Sequence, residues 1–139
     1  MGIKMRYLYY SSKKKIADVG PFLKSKFDLQ INSVDVIPPA YSCDKERIVI
    51  LGLSLKGDLP DALRLFLREL TKARTANVAL VIDGDPKTVP AVISILKEAG
   101  TNVVGEPIYL KCGLFSGKLS DDEKAAVGSW VDGIVSALA

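Results

Sequence analysis

Ile48-Val49-Ile50-Leu51, running directly into Gly52-Leu53-Ser54-Leu55-Lys56-Gly57-Asp58-Leu59-Pro60, is the stretch whose reading decides the fold. Four consecutive aliphatic residues with no polar alternation need cover on both faces, the mark of a strand inside a parallel sheet flanked by helices. Residues 52–57 then read as a glycine-bracketed loop. An amphipathic helix comes next, with Leu59, Leu63, Phe66, Leu67 and Leu70 on one face. Ligands of such sheets sit outside the carboxyl ends of the strands, so this loop is the first place to look for function.

The flanking sequence repeats the pattern. Arg6-Tyr7-Leu8-Tyr9-Tyr10 has the aromatic and aliphatic make-up of a first strand. Ile16, Val19, Leu23 and Phe27 then recur at helical spacing, and Gly20-Pro21 predicts a kink or restart inside that helix. A short second strand is expected over 32–37 and a fourth over 77–82. The next helix turns Val89, Val92, Ile93 and Leu96 inward and closes at Gly100. A fifth strand is expected over 106–111. Ser120-Asp121-Asp122-Glu123 matches a capping box that opens a last helix burying Val127, Trp130, Val131, Ile134 and Leu138. Strands interleaved with helices give a three-layer α/β fold with a doubly wound, five-stranded parallel sheet. At 139 residues there is room for one domain spanning 1–139.

Composition excludes several classes of function. The chain has no histidine, which removes Ser-His-Asp and Cys-His catalysis and the commonest metal ligand. Cys43 and Cys112 are far apart and read as small buried hydrophobes. A net charge of +3, without a basic helix or interleaved aromatics, does not argue for nucleic acid. No apolar run approaches the roughly 18 residues that cross a bilayer, and none after residues 1–6 serves as a secretory core, so a cytoplasmic location is expected.

Three loops fall at the carboxyl edge of the expected sheet: 11–16, 52–58 and 83–88. Here the chain resembles the flavodoxin family. The resemblance covers nearly the whole chain in element order. It is clearest in Gly52-Leu53-Ser54-Leu55-Lys56-Gly57-Asp58-Leu59-Pro60 through Phe66, with Ala79-Leu80-Val81-Ile82-Asp83-Gly84-Asp85 looking like the fourth strand and second flavin loop. It implies strand order 2-1-3-4-5, non-covalent FMN, and electron transfer to or from a redox partner protein, one whose face is acidic if the basic residues steer it. It also implies that Ser11, Ser12, Lys13, Lys14 and Lys15 hold the phosphate. The ring would lie between Gly52, Leu53, Ser54, Leu55, Lys56 and Gly57 on one side and Asp83, Gly84 and Asp85 on the other.

Two departures leave alternatives open. The family's phosphate loop, Ser/Thr-x-Thr-Gly-Asn/Gln-Thr, is here Ser11-Ser12-Lys13-Lys14-Lys15-Ile16, with neither glycine nor threonine, so this segment reads either as an anion site or as a solvated basic turn. The ring loops lack a stacking aromatic; Leu55 is the available apolar platform. Gly52, Gly57 and Gly84 read equally as turn glycines, and Asp83 and Asp85 as helix caps. The competing function is a flavin-free binding module that docks a protein partner. A phosphoacceptor receiver is rejected, because no acids follow strand one and no acceptor Asp follows strand three.

Overall fold

The computed structural model describes residues 4–11, 13–27, 30–33, 45–84, 86–110 and 119–138. The strands are β1 (Met5–Tyr10), β2 (Gln30–Ser33), β3 (Ile48–Leu55), β4 (Asn77–Gly84), β5 (Asn102–Val103) and β6 (Ile108–Leu110). The helices are α1 (Lys14–Phe27), α2 (Asp61–Arg68), α3 (Val89–Ala99) and α4 (Asp121–Leu138), with a 3-10 turn, Pro86–Thr88, leading into α3. The sheet has the order β2-β1-β3-β4-β5, with β6 also beside β4, and every pairing is parallel.

The unbroken apolar run of β3 does what its composition requires. Val49, Leu51, Leu53 and Leu55 join the core beneath α2 and α3, while Ile48 and Ile50 join the core beneath α1 and α4. Burying both faces removes every large side chain of this strand from water, and each is worth about 1.5–3 kcal/mol. On α2 the apolar stripe is buried as expected at Leu63, Phe66 and Leu67, leaving Leu65 on the outside.

Five expectations are corrected. β3 does not end at Leu51: residues 52–55 continue it, with Gly52 opposite Tyr9 and Val81 in unbroken register. The glycine there answers a need for space. A Cβ at Gly52 would lie 2.0 Å from the Tyr7 hydroxyl and 2.8 Å from Ile16 Cγ2. β4 likewise runs on through Asp83 and Gly84. α1 passes through Pro21 without a restart, since a proline removes only one helical hydrogen bond and the buried Val19, Gly20 and Leu23 hold the helix on the sheet. The fifth position is split: β5 pairs with Asn77 and Val78, and β6 with Val81, Ile82 and Asp83, separated by a segment in which Gly105 has φ +69°. β2 starts two residues earlier than expected, and 34–37 lie outside the described residues, as do Cys43, Lys111 and Cys112.

The last helix begins as its sequence dictates. The Glu123 amide donates to Ser120 Oγ at 3.2 Å, and Glu123 Oε1 accepts from the Ser120 amide at 3.1 Å, a reciprocal capping box. The same carboxylate reaches across to α1, where Lys15 Nζ sits 2.9 Å from it, both side chains mostly buried.

Candidate functional site

Strand register places the polar groups of three strand ends side by side. Ser54 is opposite Asp83, and Ser11 follows Tyr10, which is opposite Leu53. Extending β3 and β4 to the edge therefore sets Ser11, Ser54 and Asp83 in a row, and they are hydrogen-bonded in that order. The Lys13 amide donates to Ser11 Oγ at 2.9 Å, Ser11 Oγ and Ser54 Oγ are 2.5 Å apart, and Ser54 Oγ donates to Asp83 Oδ2 at 3.0 Å. Ser11 and Asp83 are both buried, at 9% and 6% exposure, which is sustainable for polar groups only because each has a partner.

The exposed part of the site lies just above this row. Lys56, Gly57 and Asp58 form a solvent-facing turn after β3, with Gly57 at φ +70°. Gly84, at φ +102°, ends β4, and a Cβ there would lie 2.0 Å from the Leu55 carbonyl oxygen, so only glycine lets the two strand ends run this close. Thr88 Oγ1 donates to the Gly57 carbonyl at 3.2 Å and ties the entry to α3 to this turn.

Of the residues expected in the site, the structure thus brings together Ser11, Lys13, Ser54, Lys56, Gly57, Asp83 and Gly84 along one edge. Leu53 and Leu55 are packed in the core, so Leu55 presents no apolar platform. Gly52 lies below the edge, against Tyr7. Asp83 does not cap α3; that role falls to Thr88, whose side chain makes no capping bond. Ser12 and Asp85 lie outside the described residues. The serine–aspartate chain itself was not foreseen. Its signal was present in the sequence: Ser54 and Asp83 each come after six residues of continuous strand, and parallel register brings them level.

The three lysines do not act as one cluster. Lys14 Nζ pairs with Asp18 at 3.4 Å on its own helix, and Lys15 with Glu123 on α4. Burial pushes the Glu123 carboxyl up. The bonds from Lys15, from the Ser120 amide and from the Ser120 hydroxyl, together with the Lys15 charge, outweigh that and hold it below the usual carboxylate range. Among the described residues Lys13 Nζ forms no ion pair, and no group of His, Cys, Asp and Glu side chains could hold a metal. No described helix is long and apolar enough to cross a membrane. An apolar groove of about 450 Å³ lies elsewhere, between α4 and the β5–β6 connection, lined by Val104, Trp130, Ile134 and Leu138 among others.

An open parallel sheet of order 2-1-3-4-5 with helices on both faces defines a doubly wound α/β domain, and its candidate site is the carboxyl edge where the polar groups converge. The fold is flavodoxin-like. The structure is similar to Flavodoxin 1 from Bacillus cereus, at 19% identity over 98% of this chain and 99% of that one, with a TM-score of 0.72. Flavodoxin 2 from the same organism gives a TM-score of 0.74 at 15% identity, over 96% and 99%. A Fusobacterium nucleatum flavodoxin, determined bound to flavin mononucleotide, gives 0.62 at 17%, over 95% and 96%. No protein-family model matches the chain, and no curated protein does.

Proposed function

We propose that the protein is a flavodoxin-like electron carrier that holds FMN non-covalently at the carboxyl edge of the sheet and exchanges electrons with a partner protein in the cytoplasm. The observation that carries this reading is the convergence of the β1, β3 and β4 ends beneath an exposed 56–58 turn and Gly84, in a fold shared with flavodoxins, one of them determined with FMN bound. When bound, the flavin supplies the redox chemistry and the protein tunes and presents it. Backbone groups of 56–58 and of Gly84 would face the ring, with Ser54 and Asp83 fixing the strand ends below it. Lys13, just before α1, and the exposed Lys56 beside the ring loop would favour a partner with an acidic face.

Among the described residues the ring loops offer the exposed 56–58 turn and Gly84 but no apolar platform, since Leu55 is buried, and the phosphate loop fits poorly. Ser11 and two of the three adjacent lysines are engaged within the protein, which is also what favours the second reading, a flavin-free module that docks a partner. Titrating FMN into the purified protein while tracking the visible absorbance and flavin fluorescence separates the two. The carrier reading expects saturable one-to-one quenching, and unchanged flavin spectra at protein concentrations well above any useful affinity would leave the module reading.

A further inference from the structure

Resting on the flavin reading, we infer that a flavin held at this edge takes little of its affinity from its phosphate, because the Ser11–Ser54–Asp83 chain has turned the Ser11 hydroxyl inward.

Proton supply fixes the direction of that chain. A serine hydroxyl has one proton to donate, and a carboxylate has none. Ser54 gives its proton to Asp83 Oδ2, so the contact between Ser11 and Ser54 takes its proton from Ser11. The Ser11 oxygen in turn accepts the Lys13 amide, which removes one of the donors that an anion at the start of α1 would use. Both the hydroxyl and that amide are therefore satisfied internally, on a residue only 9% exposed. Turning Ser11 toward a phosphate would break the bond to Ser54 in a buried setting. The Asp83 charge also sits two hydrogen bonds away, of 3.0 and 2.5 Å, where it opposes a second anion. Lys14 and Lys15 are held by Asp18 and Glu123. The groups left for a phosphate among the described residues are the Lys13 ammonium and the outward amides of the first turn of α1.

The test compares FMN with riboflavin, which lacks the phosphate, by fluorescence quenching on the wild type, Ser54→Ala and Asp83→Asn. A charge-assisted hydrogen bond to phosphate is worth roughly tenfold to a hundredfold in affinity. The wild type is expected to bind both flavins with dissociation constants within about fivefold of each other, below the value of one such bond. Ser54→Ala releases the Ser11 hydroxyl and is expected to shift the ratio of the two dissociation constants about tenfold toward FMN, whatever it does to flavin binding as a whole. Asp83→Asn removes the opposing charge without opening the strand ends, and is expected to move the same ratio toward FMN if Ser54→Ala does not fold. A change in this ratio is not produced by a purely structural role, which would move both flavins together. A wild-type preference for FMN of about a hundredfold or more would overturn the inference and leave the carrier reading standing. So would an unmoved ratio in both variants. Binding of neither flavin would overturn both.

Discussion

Gly52→Ala is expected to destabilise the protein far more than a loop glycine would allow, and the loss is expected to depend on Tyr7. The added Cβ would be 2.0 Å from the Tyr7 hydroxyl, 2.8 Å from its ring carbon Cζ and 2.8 Å from Ile16 Cγ2. Tyr7 is fully buried and its hydroxyl donates to the Ile16 carbonyl at 2.5 Å, so the ring cannot yield without giving up that bond. Overpacking of a core costs about 1–3 kcal/mol, and an unmade buried hydrogen bond about 1–3 kcal/mol more, for a sum of roughly 2–6 kcal/mol. That is a large share of the ~5–15 kcal/mol that holds a domain together. Urea unfolding monitored by circular dichroism measures it. Tyr7→Phe supplies the internal check. On the wild-type background it removes a hydrogen bond and costs about 1 kcal/mol. On the Gly52→Ala background it removes the atom nearest the new methyl and is expected to restore stability, so its sign reverses. A Gly52→Ala cost under about 1 kcal/mol would refute the close-packing argument, because alanine at an unobstructed strand position is no worse than glycine. An effect of Tyr7→Phe that is the same on both backgrounds would refute it too.

Two further outcomes are expected. Because the folded Glu123 carboxyl lies below its unfolded value, its contribution to stability is fully present above the unfolded pKa of about 4.3 and is lost as pH falls through the folded pKa. Glu123→Gln should therefore lower the urea midpoint at neutral pH and flatten the acid limb of the stability profile; an acid limb identical to the wild type would contradict the assignment. The Trp130 indole donates to the Glu106 carbonyl at 2.8 Å and anchors the segment that splits the fifth strand position. Trp130→Phe is expected to cost about 1 kcal/mol and to speed amide exchange near Val104 while leaving β1 and β3 protected, as read by hydrogen exchange.

The layered fold was legible because burial on two faces leaves a plain trace in sequence. Ile48 to Leu51 had to be an interior strand, and the stripe from Leu59 to Leu70 had to cover it. The capping box at Ser120 was legible for a similar reason, since both halves of its hydrogen bonding lie within four residues. The misreadings of β3 and α1 share one cause: a glycine or proline reads as punctuation where tertiary contact decides its role. Gly52 looked like a loop because the Tyr7 hydroxyl that occupies its Cβ position is 45 residues away in sequence. Pro21 looked like a break because helix propensity ignores the sheet beneath. At the site, the residue types were readable but their pairing was not. Lys13, Lys14 and Lys15 look alike in sequence, yet Asp18 and Glu123 give two of them different tasks. The serine–aspartate chain appears only once β3 and β4 are known to extend to Ser54 and Asp83 in register.

That the carboxyl edge is a flavin site is tested most directly by titrating FMN into isotopically labelled protein and recording backbone amide resonances. Stoichiometric shifts are predicted at Lys56, Gly57, Asp58 and Gly84, with smaller ones at Ser54 and Asp83 beneath them and weak ones at Lys13. Unmoved resonances, or shifts gathered instead around Val104, Trp130 and Leu138 in the apolar groove beside α4, would contradict it.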